Sequence, residues 1–522
     1  MLSFDLNKNE FINLVENSEK PAIIQLMAKV ETECTPLQLY TLLQKSRCSY
    51  LLESVEKEKK HARFSFVGFD PDALLTISDR NLKLEFFKNS DFVDYLGSKI
   101  GHVCTDESGN NNFCQGRIKE GYDVLDALRA VFPTADGVNL LNQKKFDRQT
   151  FLGGAIGYNG YDIVYDCWLD MDKKYETDTP DLQYALTTKT FVFDHLTGDV
   201  YIVVTPFISR NSSPESVYNT ALSEAEELYN SLYDASGLEI STLPESKTDS
   251  MEPVCNIDRN DFEKAVENAK QHILDGDIFQ VVLSRRYAVN IEQTPLDLYK
   301  KLRNINPSPY MYIFNFRDLS IVGASPETLM TVHNKEVITN PIAGTCSRGK
   351  DENKDKEYAS SMLNDEKERA EHVMLVDLGR NDVRMVSRSG SVKLENFMKV
   401  VKYSHVQHIE STVKGTLRDE CDQFDATRAI FPAGTLSGAP KIRAMEIIDK
   451  MEKSPRGIYG GGVGYYSWNS DADFAIVIRT VLINKSTAYV QAGAGVVSDS
   501  SPEYEYKETE RKMAAMLSAI RG

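Results

Sequence analysis

Four glutamates in this chain fall into two pairs of identical spacing. Glu368 and Glu371 stand in "NDEKERAEHVMLVDLGRND", and Glu505 and Glu508 in "PEYEYKETERK". Residues three apart share a helix face, so each pair sets two carboxylates side by side. Two such faces brought together can hold a hard cation through oxygen; Mg2+ would keep several waters and take substrate oxygens as well. Taken alone, each pair reads more simply as a solvated charged face. The stretch just before the second pair favours the metal. "QAGAGV" (491–496) is Gly-rich backbone whose amides can face an anion, although a structural turn accounts for it equally well. No Gly-rich fingerprint follows a strand and no Walker lysine is present, so a nucleotide site lacks its loop.

Three further stretches carry chemistry. In "NPIAGTCSRGK" (340–350), Gly344 and Thr345 supply backbone donors and a hydroxyl, or simply a tight turn. In "YSHVQHIEST" (403–412), His405 and His408 are three apart, which invites a shared metal. But Val406, His408, Glu410 and Thr412 alternate as one strand face, putting His405 on the other. His408 with Glu410 two residues on suits general acid–base work; a structural strand histidine fits too. "RCSYLLESVEKEKKHARFSF" (47–66) and "INPSPYMYIFNF" (305–316) hold no titrating constellation, and the second reads as a proline-bounded entry to an aromatic strand.

The elements that must position these residues follow from periodicity. The polar segment around 236–254 divides the chain into an N-terminal region, 1–235, and a second region, 255–522. An acidic amphipathic helix precedes it, and another begins at Asp258 with Phe262, Val266, Ala269 and Ile273 on one face. "IFQVVLSRRYAV" reads as a strand. Further strands are expected at 310–323, 328–339, 392–401, 406–417, 457–468, 472–484 and 487–497, with helices at 295–304, 355–378, 438–452 and 502–520. Grouped strands interrupted by helices predict an α+β fold with large, mostly antiparallel sheets. "FLGGAIGYNGYD" (151–162) and "IYGGGVGYYSWN" (458–469) share GGxxGY, which suggests related sheets facing each other from the two regions, or coincidence.

Composition narrows the function. With 60 basic and 77 acidic residues the net charge is −17, which disfavours nucleic acid and anionic membranes. Eight cysteines without a CxxC pair read as reduced thiols. The N-terminus shows no signal-peptide pattern and the longest apolar runs are strand-length, so a cytoplasmic location is expected.

Taken together, "LLES", "NPSPYM", "GASPE", "PIAGT", "AEHVMLVDLGRND", "GTLSGAPKIRAMEII", "YGGGVGY", "IVIRT" and "QAGAGVV" resemble the chorismate-utilising enzymes, in particular the anthranilate synthase component I family. The resemblance runs from about residue 36 to 521. It implies two large, mostly antiparallel sheets packed face to face with helices outside. It also implies a lyase that turns chorismate and ammonia into anthranilate and pyruvate, the first step of tryptophan biosynthesis. On the same footing, Mg2+ bridges the ring carboxylate to Glu371 and Glu508, with Glu368 and Glu505 holding metal waters. Gly344, Thr345, Tyr459, Arg479, Gly493, Ala494 and Gly495 would contact substrate, Arg479 clamping the enolpyruvyl carboxylate. His408 and Thr435 would stand at the chemical step. Ser54, Pro309, Tyr310 and Met311 would line a tryptophan inhibitor site.

Two positions separate branches within that resemblance. Aminodeoxychorismate synthases carry a nucleophilic lysine where this chain has Ala343, and isochorismate and salicylate synthases carry a lysine base where it has Gln280. Neither side chain here can act as nucleophile or base at neutral pH, so external ammonia is the expected nucleophile. No cysteine sits in a glutaminase elbow, which implies a separate glutamine amidotransferase subunit, in a heterotetramer of two large and two small chains. The rival readings are an enzyme that stops at the aminated ring without losing pyruvate, and an inactive tryptophan-sensing partner of the amidotransferase.

Overall fold

The structure is a computed structural model that describes residues 2–55, 63–144, 146–177, 179–240, 252–403 and 406–521. His405 lies outside the described residues, as do 241–251 of the stretch read as a linker. A 13-stranded and a 12-stranded sheet form the body, beside a small three-stranded one. Among the described residues the one parallel pairing joins Ala22–Ile24 to Asn139–Leu141. The α+β, mostly antiparallel architecture expected from the grouped strands is the one observed.

The two large sheets pack through an aromatic layer. Tyr50, Phe66 and Phe314 of one sheet share a core with Ile156, Tyr158 and Tyr465 of the other, and the Phe66 and Tyr465 rings meet edge-on at 5.3 Å. Helices bury their apolar stripes on the outer faces. Asp91–Val103, Val124–Ala130 and Gln423–Ile430 cover the 13-stranded sheet; Pro36–Leu43, Pro214–Ser236, Pro295–Ile305 and Pro502–Arg521 cover the other. No helix among the described residues is long and apolar enough to cross a membrane.

Each large sheet is shared by both regions, whose strands form two blocks that meet at one seam. Gly154–Asn159 runs between Leu182–Thr187 and Gly462–Ser467, and Cys48–Glu53 pairs with Tyr310–Phe316. The GGxxGY echo is thereby corrected: the two copies are hydrogen-bonded neighbours in one sheet, with Gly157 opposite Gly464, not members of facing sheets. Both glycines serve a close approach. A Cβ on Gly157 would fall 2.0 Å from the Gln183 carbonyl oxygen, and one on Gly464 would fall 1.9 Å from that of Asp473.

Several boundaries differ from expectation for local reasons. The helix expected over 355–378 is two, Glu352–Asn364 and Glu366–Val386. Asp365 breaks it with extended backbone and caps the second helix by accepting from the N–H groups of Lys367 and Glu368. The strand expected over 457–468 starts at Gly462, because Gly457 and Gly460 turn the chain through positive φ. The strand expected over 472–484 is also two, and they belong to different sheets: Ala472–Ile476 to the larger, Thr480–Asn484 to the smaller. The chain changes sheet across 477–479, where Arg479 has φ 48°. It changes sheet likewise at 326–327, between Leu319–Ser325 and Thr328–His333. The two crossovers are tied: Ile476 N–H donates to the Glu327 carbonyl (3.0 Å), and Ala324 N–H to that of Arg479 (3.2 Å).

Candidate active site

The two glutamate pairs lie on the helices Glu366–Val386 and Pro502–Arg521, and they come together. Burial, and then the neighbouring carboxylates, push Glu368, Glu371 and Glu505 above the usual carboxylate range; Glu508 contributes to all three shifts. Lys512, one turn beyond Glu508, places Nζ 2.7 Å from its carboxylate and donates to the Gly493 carbonyl at 3.0 Å. Among the described residues no three acidic, histidine or cysteine side chains converge as a ready-made cation cage. That donor set suits Mg2+, which takes one or two protein carboxylates and fills its octahedron with water and substrate oxygens. The mutual repulsion of the four carboxyls, partly relieved by the Lys512 ammonium, is a demand for positive charge.

The wall beside them is the strand Thr487–Val496, paired with Gln280–Asn290 so that Gly493, Ala494 and Gly495 stand opposite Ser284, Leu283 and Val282. Gly495 leaves room for Gln280, whose Nε2 would be 2.7 Å from a Cβ there. The Gln280 amide faces Glu371 and offsets part of its upward shift, while its carbonyl Oε1 is buried with no partner among the described residues. Gly493 leaves room for the Tyr459 hydroxyl, 2.9 Å from where its Cβ would stand, and that hydroxyl receives the Gly493 N–H. Ala494 is fully buried between the two glycines. Gly344, at φ 66°, opens onto Glu368, whose Oε2 would be 3.0 Å from a Cβ.

His408 occupies the next position round the cleft. Its Nδ1 lies 2.8 Å from the Gly344 carbonyl oxygen and 3.1 Å from the Thr345 hydroxyl. A carbonyl only accepts, so Nδ1 carries the proton and Nε2 keeps its lone pair. Burial lowers the imidazole pKa and the Arg479 cation lowers it further, so the ring is neutral at pH 7. Arg479 in turn faces Glu327. Burial pushes the Glu327 carboxyl up to about 7, against the hydrogen bond from Thr435 and the charges of Lys512 and Arg479. The Thr435 hydroxyl donates to Glu327 at 2.9 Å.

These residues surround one cleft, some in direct contact and others, such as Lys512, Glu327, Arg479 and His408, linked by the charges they set on one another. A family profile described as chorismate binding enzyme matches residues 135–518. The chain belongs to the chorismate-binding enzymes. Anthranilate synthase component 1 of Haloferax volcanii is 44% identical over 100% of this chain and 98% of its own length. That of Aquifex aeolicus is 38% identical over 99% and 98%. The crystal structure of anthranilate synthase component I from Streptococcus pneumoniae superposes with a TM-score of 0.67 at 35% identity, over 87% of this chain and 92% of that one. The menaquinone-specific isochorismate synthase of Escherichia coli shares the fold, with a TM-score of 0.66 at 17% identity over 98% of both chains.

In this chorismate-binding enzyme the candidate inhibitor residues form a second, separate group. Ser54, Pro309, Tyr310 and Met311 line a narrow cavity between the sheets. The Ser54 hydroxyl donates to the Pro309 carbonyl at 2.6 Å, so a residue from each region closes one end. Tyr312, Tyr465 and Asp473 complete much of its wall. Sequence reasoning missed Glu327, Lys512 and Tyr312. Glu327 had a signal: a single acid after a proline inside the apolar run "LSIVGASPETLMTV".

Proposed function

We propose that this chorismate-utilising enzyme is the large subunit of an anthranilate synthase, forming anthranilate and pyruvate from chorismate and ammonia. The observation that carries the reading is the Gln280 carbonyl oxygen, a buried acceptor without a partner among the described residues, beside Glu371 and Gly495. It can take an N–H of ammonia and aim the nitrogen lone pair at the ring. A lysine there would displace ammonia and activate water; Ala343 leaves no nucleophile of the chain's own.

Ammonia nitrogen bonds to C2 of the ring, the double bonds shift, and the C4 hydroxyl leaves as water after receiving a proton. Glu327 supplies that proton, since its raised pKa keeps a protonated fraction at neutral pH, and the Thr435 hydroxyl fixes its orientation. The C2 proton is then removed as the C3–O bond breaks, leaving an aromatic ring and releasing enolpyruvate, whose methylene carbon takes up a proton to give pyruvate. His408, neutral and with Nε2 as an acceptor, suits taking up a proton better than giving one. Arg479 holds the enolpyruvyl carboxylate, and the backbone at 344–345 and 493–495 with Tyr459 shapes the ring pocket. Glu371 and Glu508 would hold Mg2+, with Glu368 and Glu505 on its waters. Bound there, the ion supplies Lewis-acid polarisation of the ring carboxylate.

Burial pushes the thiols of Cys34, Cys48, Cys104, Cys114, Cys167, Cys346 and Cys421 upward, so they stay protonated and are poor glutaminase nucleophiles. Ammonia therefore comes from a glutamine amidotransferase partner, in a heterotetramer of two chains of each kind, and all eight free thiols fit a reducing cytoplasm. Tryptophan occupies the inter-sheet cavity and inhibits by feedback. The test is an assay of the purified chain with chorismate, ammonium and Mg2+, read by anthranilate fluorescence. Turnover with ammonium but not with glutamine is expected. A non-fluorescent aminated product would replace this reading with an enzyme that retains pyruvate; chorismate binding without turnover would replace it with a sensor.

A further inference from the structure

Glu327 and Arg479 do not sit on regular strands. Each stands at a point where the chain leaves one large sheet for the other, and each is followed at once by a threonine that opens the next strand, Thr328 and Thr480. Such positions lack a full ladder of hydrogen bonds: one backbone bond ties each crossover to the other, and the strand-opening threonines add a further hold. Arg479 also holds a left-handed backbone, which costs a residue with a Cβ on the order of 1 kcal/mol.

Both threonines are held by hydroxyls from a single strand. The Tyr310 hydroxyl lies 3.0 Å from Thr328 Oγ1 and also donates to Asp473 at 2.9 Å. The Tyr312 hydroxyl lies 2.6 Å from Thr480 Oγ1, which donates back to the Ile478 carbonyl at 2.8 Å, so a hydrogen-bonded bracket spans Arg479. Residues two apart on a strand share a face, and Tyr310 and Tyr312 both line the inter-sheet cavity. Tyr312 is fixed in turn by Gly323, where a Cβ would meet its ring at 2.3 Å.

We infer that the hydroxyls of Tyr310 and Tyr312 position Glu327 and Arg479, making the strand Tyr310–Phe316 the bar through which an occupant of the inter-sheet cavity acts on the substrate cleft. Both tyrosines are positioning residues, because their hydroxyls end on Thr328, Asp473 and Thr480 and act on the cleft through them. The coupling half of the inference rests on the cavity being the inhibitor site; the positioning half does not.

The test uses the whole chain with ammonium as nitrogen source. Without tryptophan, Tyr312→Phe and Thr480→Val each raise KM for chorismate about tenfold and lower kcat much less, the loss expected when one hydrogen bond holding an ion-pairing group is removed. The Tyr312→Phe/Thr480→Val double variant is no worse than either single variant, because the two act as one unit. Thr480→Ser, which keeps the hydroxyl, restores KM to the wild-type value. Unchanged KM in both single variants overturns the inference. So does a Thr480→Ser variant as impaired as Thr480→Val, since that marks a packing role.

Calorimetry then separates the two halves. Tryptophan binds Tyr312→Phe with near wild-type affinity yet inhibits it less. Inhibition undiminished in this variant overturns the coupling. If tryptophan binds neither protein, the inhibitor-site reading falls, and the KM results alone decide the positioning role.

Discussion

The substrate cleft and the inter-sheet cavity meet at the same two crossovers, yet they are made of opposite materials. The cleft gathers Glu327, Glu368, Glu371, Glu505 and Glu508 against Lys512 and Arg479; burial raises Glu327, Glu368, Glu371 and Glu505, and the Glu508 charge adds to the last three. The cavity is walled largely by aromatic rings, and its two acids are already satisfied, Glu53 by Arg303 and Tyr299 and Asp473 by Gln149 and Tyr310. A region whose charges oppose one another in the absence of ligand is arranged for a ligand. A region whose polar groups are already satisfied is arranged to be stable, and a guest there must act by displacement.

The largest effects should therefore come from the cleft. Glu371→Gln and Glu508→Gln should abolish calorimetric Mg2+ binding and lower ammonium-dependent turnover on the order of a thousandfold, the several kcal/mol a Lewis acid contributes. Their melting temperatures in metal-free buffer should not fall, because repulsion has been removed; a large fall would make the carboxylates structural and erase the contrast. Glu327→Gln should cost about 10²–10⁴-fold in kcat. Its pKa of about 7 is raised, so the carboxyl is protonated below that pH and loses its proton above it. Wild-type kcat/KM for chorismate should fall on the alkaline side from about 7, and the variant should lack that limb.

Changes to the cavity should be smaller and of a different kind. Ser54→Phe should erase tryptophan inhibition, a coupling of about 1–3 kcal/mol, with far less effect on turnover; unchanged inhibition would place the inhibitor elsewhere. Gly464→Ala should lower stability by about 1–3 kcal/mol, read as a lower melting temperature, because its new Cβ meets the Asp473 carbonyl oxygen at 1.9 Å.

The same contrast explains what could be read in advance. The glutamate pairs, the 491–496 glycines and His408 were visible because type and spacing on one element carry the signal. The helix at 502–521 and the strands at 393–402 and 406–416 were placed within a residue or two for the same reason. Continuous apolar runs hid the crossovers: 472–484 reads as one strand, and nothing local shows that its two halves serve different sheets. Glu327, Lys512 and the Tyr312–Thr480 contact depend on segments far apart in the chain, and pairing at that distance leaves no periodic trace. Asp365, by contrast, was a capping residue in plain view between two helices.

The joining of the two regions at one strand pairing in each large sheet bears on how this protein can be made. A nascent chain that has reached residue 240 holds Gly154–Asn159 and Cys48–Glu53 with one edge each still unmatched, since their partners Gly462–Ser467 and Tyr310–Phe316 are yet to be synthesised. Exposed edges of this kind invite wrong partners. Severed within 241–251, the two fragments should be poorly soluble when expressed apart and should recover a folded enzyme only when produced together.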